Sequence, residues 1–139
     1  MSNRGDPVEL LQLIRLQLLN NNDVRSMVGE RIHTAHFMSF DDPTRQLPCV
    51  ILEIAGGDMN YGQRLEKVTV YVYTYSAQNS AESLELYHKC SVALHAQRVS
   101  NASLTLRGLV EEVARPSTGY NDAVRSWYAR GSFLTLVVG

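Results

Sequence analysis

Cysteine is scarce. Cys49 and Cys90 are the only two in 139 residues, and no CxxC spacing surrounds either. That excludes a disulfide framework and a cysteine-built zinc site, and it leaves two small buried hydrophobes in a reducing compartment. An excess of one charge is missing as well. Thirteen basic residues stand against fourteen acidic ones, so at a net charge of -1 no global field draws the chain to nucleic acid or anionic lipid. No apolar run approaches the roughly eighteen residues of a membrane span, and the opening MSNRGDPVELLQ lacks the basic and apolar regions of a secretory leader. Synthesis in the cytosol and no membrane partner are the expectation. Catalytic signatures are absent too. No serine sits in a GxSxG elbow, and GGDMNYG, Gly56 to Gly62, lacks the GK[ST] of a phosphate cradle and precedes a strand. Glu111 and Glu112 are adjacent, so on a strand they diverge and cannot act as a carboxylate pair. Neither an enzyme nor a cofactor is expected.

What is present is a hydrophobic content of 45%, sufficient for a core, in a length that suits one domain over residues 1–139. A first helix is expected over about 7–20. Asp6 can cap it, Pro7 fits its first position, Glu9 suits a capping box, and Val8, Leu11, Ile14 (or Arg15) and Leu18 repeat at helical spacing. Asp23 can cap a second short helix that Gly29 closes. Ile32 to His36 reads as a short strand, and Asp42-Pro43 as a turn in the loop that follows. CVILEIA and VTVYVYTYS, joined by GGDMNYGQR, predict a hairpin over about 48–76 with a long tip. A long helix over about 80–98 follows, with Leu86, Tyr87, Cys90, Ala93, Leu94 and Gln97 on one stripe. Two strands over about 103–115 and 126–138, joined by the turn-rich PSTGYND, end the chain. Hairpins without regular βαβ alternation predict an α+β fold. Its sheet is mostly antiparallel, of four to five strands, with the long helix and the N-terminal helix packed on it.

The strand VTVYVYTYS divides into two faces. Val68, Val70, Val72 and Thr74 point one way, and Thr69, Tyr71, Tyr73 and Tyr75 the other. The valines belong under the Leu86–Leu94 stripe. The tyrosines are covered either by the N-terminal helix or by another copy of the chain, because soluble monomers rarely bare a contiguous aromatic patch. The hairpin tip, with Met59, Asn60, Tyr61 and Arg64, suits contact with a partner. His33 and His36 form an HxxH near Asp41 and Asp42 and raise a second reading, a small α+β metal- or ligand-binding domain. On a strand the two imidazoles would lie on opposite faces, so no metal site is expected. His88 and His95 share a helix side without carboxylates at ligand spacing. The RGD at Arg4 to Asp6 is coincidental beside the capping role of Asp6. Arg107, Arg115, Arg125 and Arg130 mix with acids, and of these Arg125 and Arg130 are candidates for a phosphate-facing pore.

The layout resembles the tail terminator, or tail completion, proteins of long-tailed bacteriophages and prophages. DVRSMVGERIHTA is similar to that family's short helix, "vG-R-I" turn and strand. DDPTRQLPCVILEIAGGD resembles its proline-led strand after a variable loop, with Cys49 where tyrosine is common. VTVYVYTYSAQNSAESLELYHKCSVAL and WYARGSFLTLVV resemble its strand, turn and long helix and its closing strand. The resemblance implies a non-enzymatic virion protein, assembled in the host cytoplasm and lodged in the tail or neck. It implies a homo-oligomeric ring, commonly a hexamer, at the head–tail junction that stops growth of the tail tube. Its partners would be its own copies, the tail tube protein and a head–tail connector or neck protein, with DNA passing through the lumen without sequence readout. A head-side connector or stopper is the related alternative. On this reading Tyr71, Tyr73 and Tyr75 serve one intersubunit patch and the tip serves another.

Overall fold

The computed structural model describes residues 7–36, 41, 46–58, 65–101 and 107–138. In chain order they form α1 (Pro7–Leu19), α2 (Asn22–Val28), β1 (Ile32–His33), β2 (Cys49–Asp58), β3 (Leu65–Ser76), α3 (Ser80–Leu94), β4 (Gln97–Ser100), β5 (Arg107–Glu112), β6 (Ser117–Asn121) and β7 (Ser126–Val138). The class is α+β, but the sheet is mixed and larger than the sequence led one to expect. Its order is β1-β2-β3-β7-β5-β4, and β6 lies beyond β5 along the same edge of β7. β1 runs parallel to β2, and the other pairings are antiparallel.

The valine alternation sets the layering. Val70 and Val72 are fully buried, and with Val50, Leu52, Phe133 and Val137 they form the sheet side of the main core. Leu86, Cys90, Ala93 and Leu94 cover them from α3, as the stripe predicts. Each such aliphatic side chain contributes about 1.5–3 kcal/mol by leaving water. α1 packs into this same core through Leu10, Ile14 and Leu18, an i, i+4, i+8 row with no exposed surface. The expected stripe was therefore rotated: Val8 is 67% exposed and Leu11 only part-buried. The expected Asp6 cap lies outside the described residues.

Local chemistry fixes the ends. Asn21, and not Asp23, caps α2: its side-chain oxygen accepts from the Asp23 and Val24 amides at 3.0 and 3.1 Å. Gly29 closes α2 at φ 60, a conformation that suits glycine. Two arginines then pin β1. Arg15 Nε donates to the Ile32 carbonyl at 2.7 Å, and Arg31 Nε donates to the Pro48 carbonyl at 2.9 Å. β1 stops after two residues, not the five expected, because residues 34 and 35 bend away. At α3, the Asn79 side chain accepts from the Glu82 amide at 2.8 Å while Ser76 Oγ donates to the Glu82 carboxylate at 2.7 Å. Thr74 Oγ1 donates to the Ser83 carbonyl at 2.6 Å, tying the end of β3 to that helix.

Two boundaries moved. α3 ends at Leu94, short of the expected residue 98, because His95 turns extended and Ala96 adopts φ 59. Gln97 to Ser100 are thereby turned back onto β5, and Gln97 leaves the stripe. STGYN, expected as a turn, is strand β6, and the turn falls at residues 122–125, where Arg125 adopts φ 49. Between β5 and β6 the pairing slips. Glu112 faces Phe133 but Ser117 faces Arg130, five residues on one side against three on the other, so the segment holding Pro116 bulges out of the ladder.

Candidate assembly surface

The face of the sheet away from the helices is built around the β3 tyrosines. Pairing places Tyr75 between Cys49 and Tyr128, Tyr73 between Ile51 and Arg130, and Tyr71 between Glu53 and Ser132. Tyr73 and Tyr75 stack at 6.1 Å with planes 10° apart, and Tyr71 meets Tyr73 edge-on at 6.3 Å. Their burial is graded. Tyr75 is only 3% exposed, whereas Tyr71 and Tyr73 are half-buried. The cover over Tyr75 is the β6–β7 turn, whose Val124 packs with Cys49, Ile51 and Tyr75 into a second small core, with Tyr73 and Tyr128 at its margin.

The first of the two sequence readings of the tyrosines, cover by the N-terminal helix, is thus corrected. α1 lies on the opposite face of the sheet and covers none of them. Nor do the three form one uniformly bare patch, because Tyr75 belongs to the interior. The outer pair remains as the accessible part. Tyr128, Val124 and Asn121 were missed in the sequence. Alternation in SWYARGSF puts Tyr128 and Arg130 on one face, but nothing local shows that the turn folds over Tyr75.

Arg130 lies with its guanidinium carbon 4.7 Å from the Tyr71 ring centre and donates to the Tyr73 hydroxyl. His36 meets the other side of Tyr73 edge-on at 4.7 Å, and its Nε2 stands 2.8 Å from a Glu53 carboxylate oxygen, close enough for an ion pair but not aligned as a hydrogen bond. A shallow cleft runs between these groups and the turn, lined also by Tyr128 and Asp122. Arg125 is exposed on the turn itself. Met59, Asn60, Tyr61 and Arg64 of the tip, and Arg4 to Asp6, lie outside the described residues.

The remaining sequence candidates serve the fold. Glu111 and Glu112 diverge as expected, and Glu112 turns toward α3, where its carboxylate accepts from the Tyr87 hydroxyl and from Ser91 Oγ at 3.1 Å. His95 has left the helix, and its Nδ1 accepts from the Glu112 amide at 3.0 Å. His33 and His36 do not converge on a third ligand: among the described residues no three His, Cys, Asp or Glu side chains are placed to hold a metal. Both cysteines are buried, and burial raises the Cys90 thiol to about 12. Among the described residues no helix is long and apolar enough to cross a membrane.

Burial also raises the Tyr75 phenol to about 12, against the opposing effect of its hydrogen bond with Asn121. Tyr87 is raised further, first by burial and then by donation to Glu112. A folded pKa above the unfolded value of 10 means that the protonated phenol favours folding. This contribution is complete below pH 10 and is lost as pH rises through about 12. Absorbance at 295 nm is therefore expected to show Tyr75 and Tyr87 ionising only as circular dichroism reports unfolding. Ionisation of all seven tyrosines near pH 10, with the fold intact, would contradict the buried placement.

No protein-family model matches the chain, and no curated protein is recognisably similar to it in sequence. Among solved structures its fold is similar to that of a chain from the virion of a native gene transfer agent particle. The TM-score is 0.71 at 13% sequence identity, over 94% of this chain and 95% of that one. The likeness is one of fold, and it extends over nearly the whole of both chains.

Proposed function

We propose that the chain is a structural subunit of a virion, without a catalytic role, that closes head to tail into a ring at the head–tail junction. There it ends the tail tube and presents a second face to a neck or connector protein. The observation that supports this most is the shared fold across 94% of this chain with a subunit of a particle that is itself a virion. The resemblance of its sequence segments to bacteriophage tail terminators points the same way. The half-buried Tyr71 and Tyr73 suit a surface covered on assembly, since a phenol offers apolar area and tolerates water. A six-fold ring, DNA crossing its lumen and Arg125 facing phosphate complete the reading. A head-side stopper would differ in binding the head connector and leaving tail tubes alone.

The test is direct. Purified protein, with and without isolated tail tubes, is examined by mass photometry and negative-stain electron microscopy. Closed rings of about six copies, seated on one end of the tubes, are expected. A monomer at every concentration that leaves tube ends bare would overturn the proposal.

A further inference from the structure

We infer that Arg130 receives a carboxylate from the helical face of a neighbouring copy of this chain, an inference that rests on the ring reading above. The guanidinium is held in place before any partner arrives. The Tyr71 ring lies beneath it at 4.7 Å, and the Tyr73 hydroxyl takes one of its hydrogen bonds. Arginine carries five donors in a planar fork, so an edge suited to a two-oxygen acceptor is left over. Among the described residues no carboxylate lies within ion-pair distance of it. The two pairs found there are His36 with Glu53 and Lys89 with Glu85. Asp122, on the rim of the same cleft, is exposed and also lies outside that distance.

The surrounding charge favours a single carboxylate over DNA. A duplex presents a charge every 1.7 Å or so and calls for a run of cations. Around Arg130 the outer face carries Glu53 and Asp122, and the exposed Arg125 lies five residues before it on the β6–β7 turn. Lys67 stands six residues along β3 from Tyr73, roughly 20 Å away, so the cations are interspersed with acids and form no run.

The helical side supplies matching acids. Most carboxylates there are already engaged: Glu9 with Asn101, Glu82 with Ser76, Glu85 with Lys89, Glu112 with Tyr87. Asp23 and Glu30, exposed at either end of α2, have no such side-chain partner among the described residues. A head-to-tail contact joins two different faces, and the contact inferred here takes them as the sheet of one copy and the helical layer of the next.

The experiment compares the full-length wild type with Arg130→Gln, Arg130→Lys and the pair Asp23→Asn plus Glu30→Gln. Sedimentation velocity at low and high salt reads assembly, and denaturation midpoints verify that each variant is folded. All three variants are expected to need at least tenfold more protein to assemble, and wild-type assembly is expected to weaken in salt. Lysine should fail because it offers a point charge without the fork. Full assembly by Arg130→Gln, or by the α2 pair, overturns this contact while leaving the ring reading intact. Full assembly by Arg130→Lys removes the two-oxygen acceptor. A wild type that never associates removes the ring reading and this contact together. Unchanged assembly with lost DNA retention in Arg130→Gln would assign the guanidinium to phosphate instead.

Discussion

Replacing Gly131 with alanine is expected to destabilise the chain by about 3–5 kcal/mol, as much as emptying a large core site. A Cβ built on Gly131 would stand 1.7 Å from the Tyr87 hydroxyl oxygen and 2.2 Å from the ring carbon that bears it. Contacts this short cannot be absorbed by small shifts, so the ring must leave its place. Tyr87 has little freedom to do so. It is 3% exposed, packs against Phe133 at 6.1 Å, and donates to the Glu112 carboxylate. If the ring moves, that carboxylate loses its phenol donor in a half-buried setting, which costs about 1–3 kcal/mol beyond the overpacking. The glycine thus serves contact and not backbone conformation: the strand of β7 passes directly under a tyrosine from α3. Urea titration should show a lower midpoint with an unchanged slope. Tyr87→Ala added to Gly131→Ala should cost less than the two single changes summed, with a coupling of about 2 kcal/mol. A Gly131→Ala variant within 1 kcal/mol or so of wild type would show that the ring does not sit there.

That contact illustrates what a sequence withholds. The valine alternation of β3, the Leu86–Leu94 stripe and the 48–76 hairpin could all be read because each is a local period with many apolar members. The short strands could not. β4 buries only Val99, and no residue of β6 is fully buried, so neither shows alternation above the background of turn-like residues. α1 had a different ambiguity. Leu10, Leu11, Leu13, Ile14, Leu18 and Leu19 are apolar at so many phases that the buried row could not be chosen, nor could the side of the sheet it would cover. The tyrosine face was visible, but the grading within it was not. Val124 and Asn121 lie far along the chain from Tyr75, and only the β6–β7 pairing brings them over it. The same holds for Arg130, whose place beside Tyr73 depends on the β3–β7 register.

The grading leads to the second large effect. Tyr75→Ala should destabilise the subunit by about 3 kcal/mol, in the range for truncating a buried aromatic, whereas Tyr71→Ala should cost about 1 kcal/mol or less. Tyr75 is sealed at 3% exposure among Cys49, Ile51 and Val124, so alanine leaves a void that the second core has few atoms to fill. It also removes the partner of Asn121 and so loosens the turn over the cleft. Tyr71 is half-buried, and its main contacts are an edge with Tyr73 and the Arg130 stack, both partly wet. In assembly the order should reverse. Tyr71→Ala leaves a folded subunit but strips the platform that holds Arg130, so its ring formation should fall at protein concentrations where the wild type is fully assembled. Denaturation midpoints and sedimentation on the same preparations separate the two effects. Equal loss of stability at both positions would place Tyr71 in the subunit interior. A Tyr75→Ala protein as stable as wild type would mean that the turn does not close over the sheet at all.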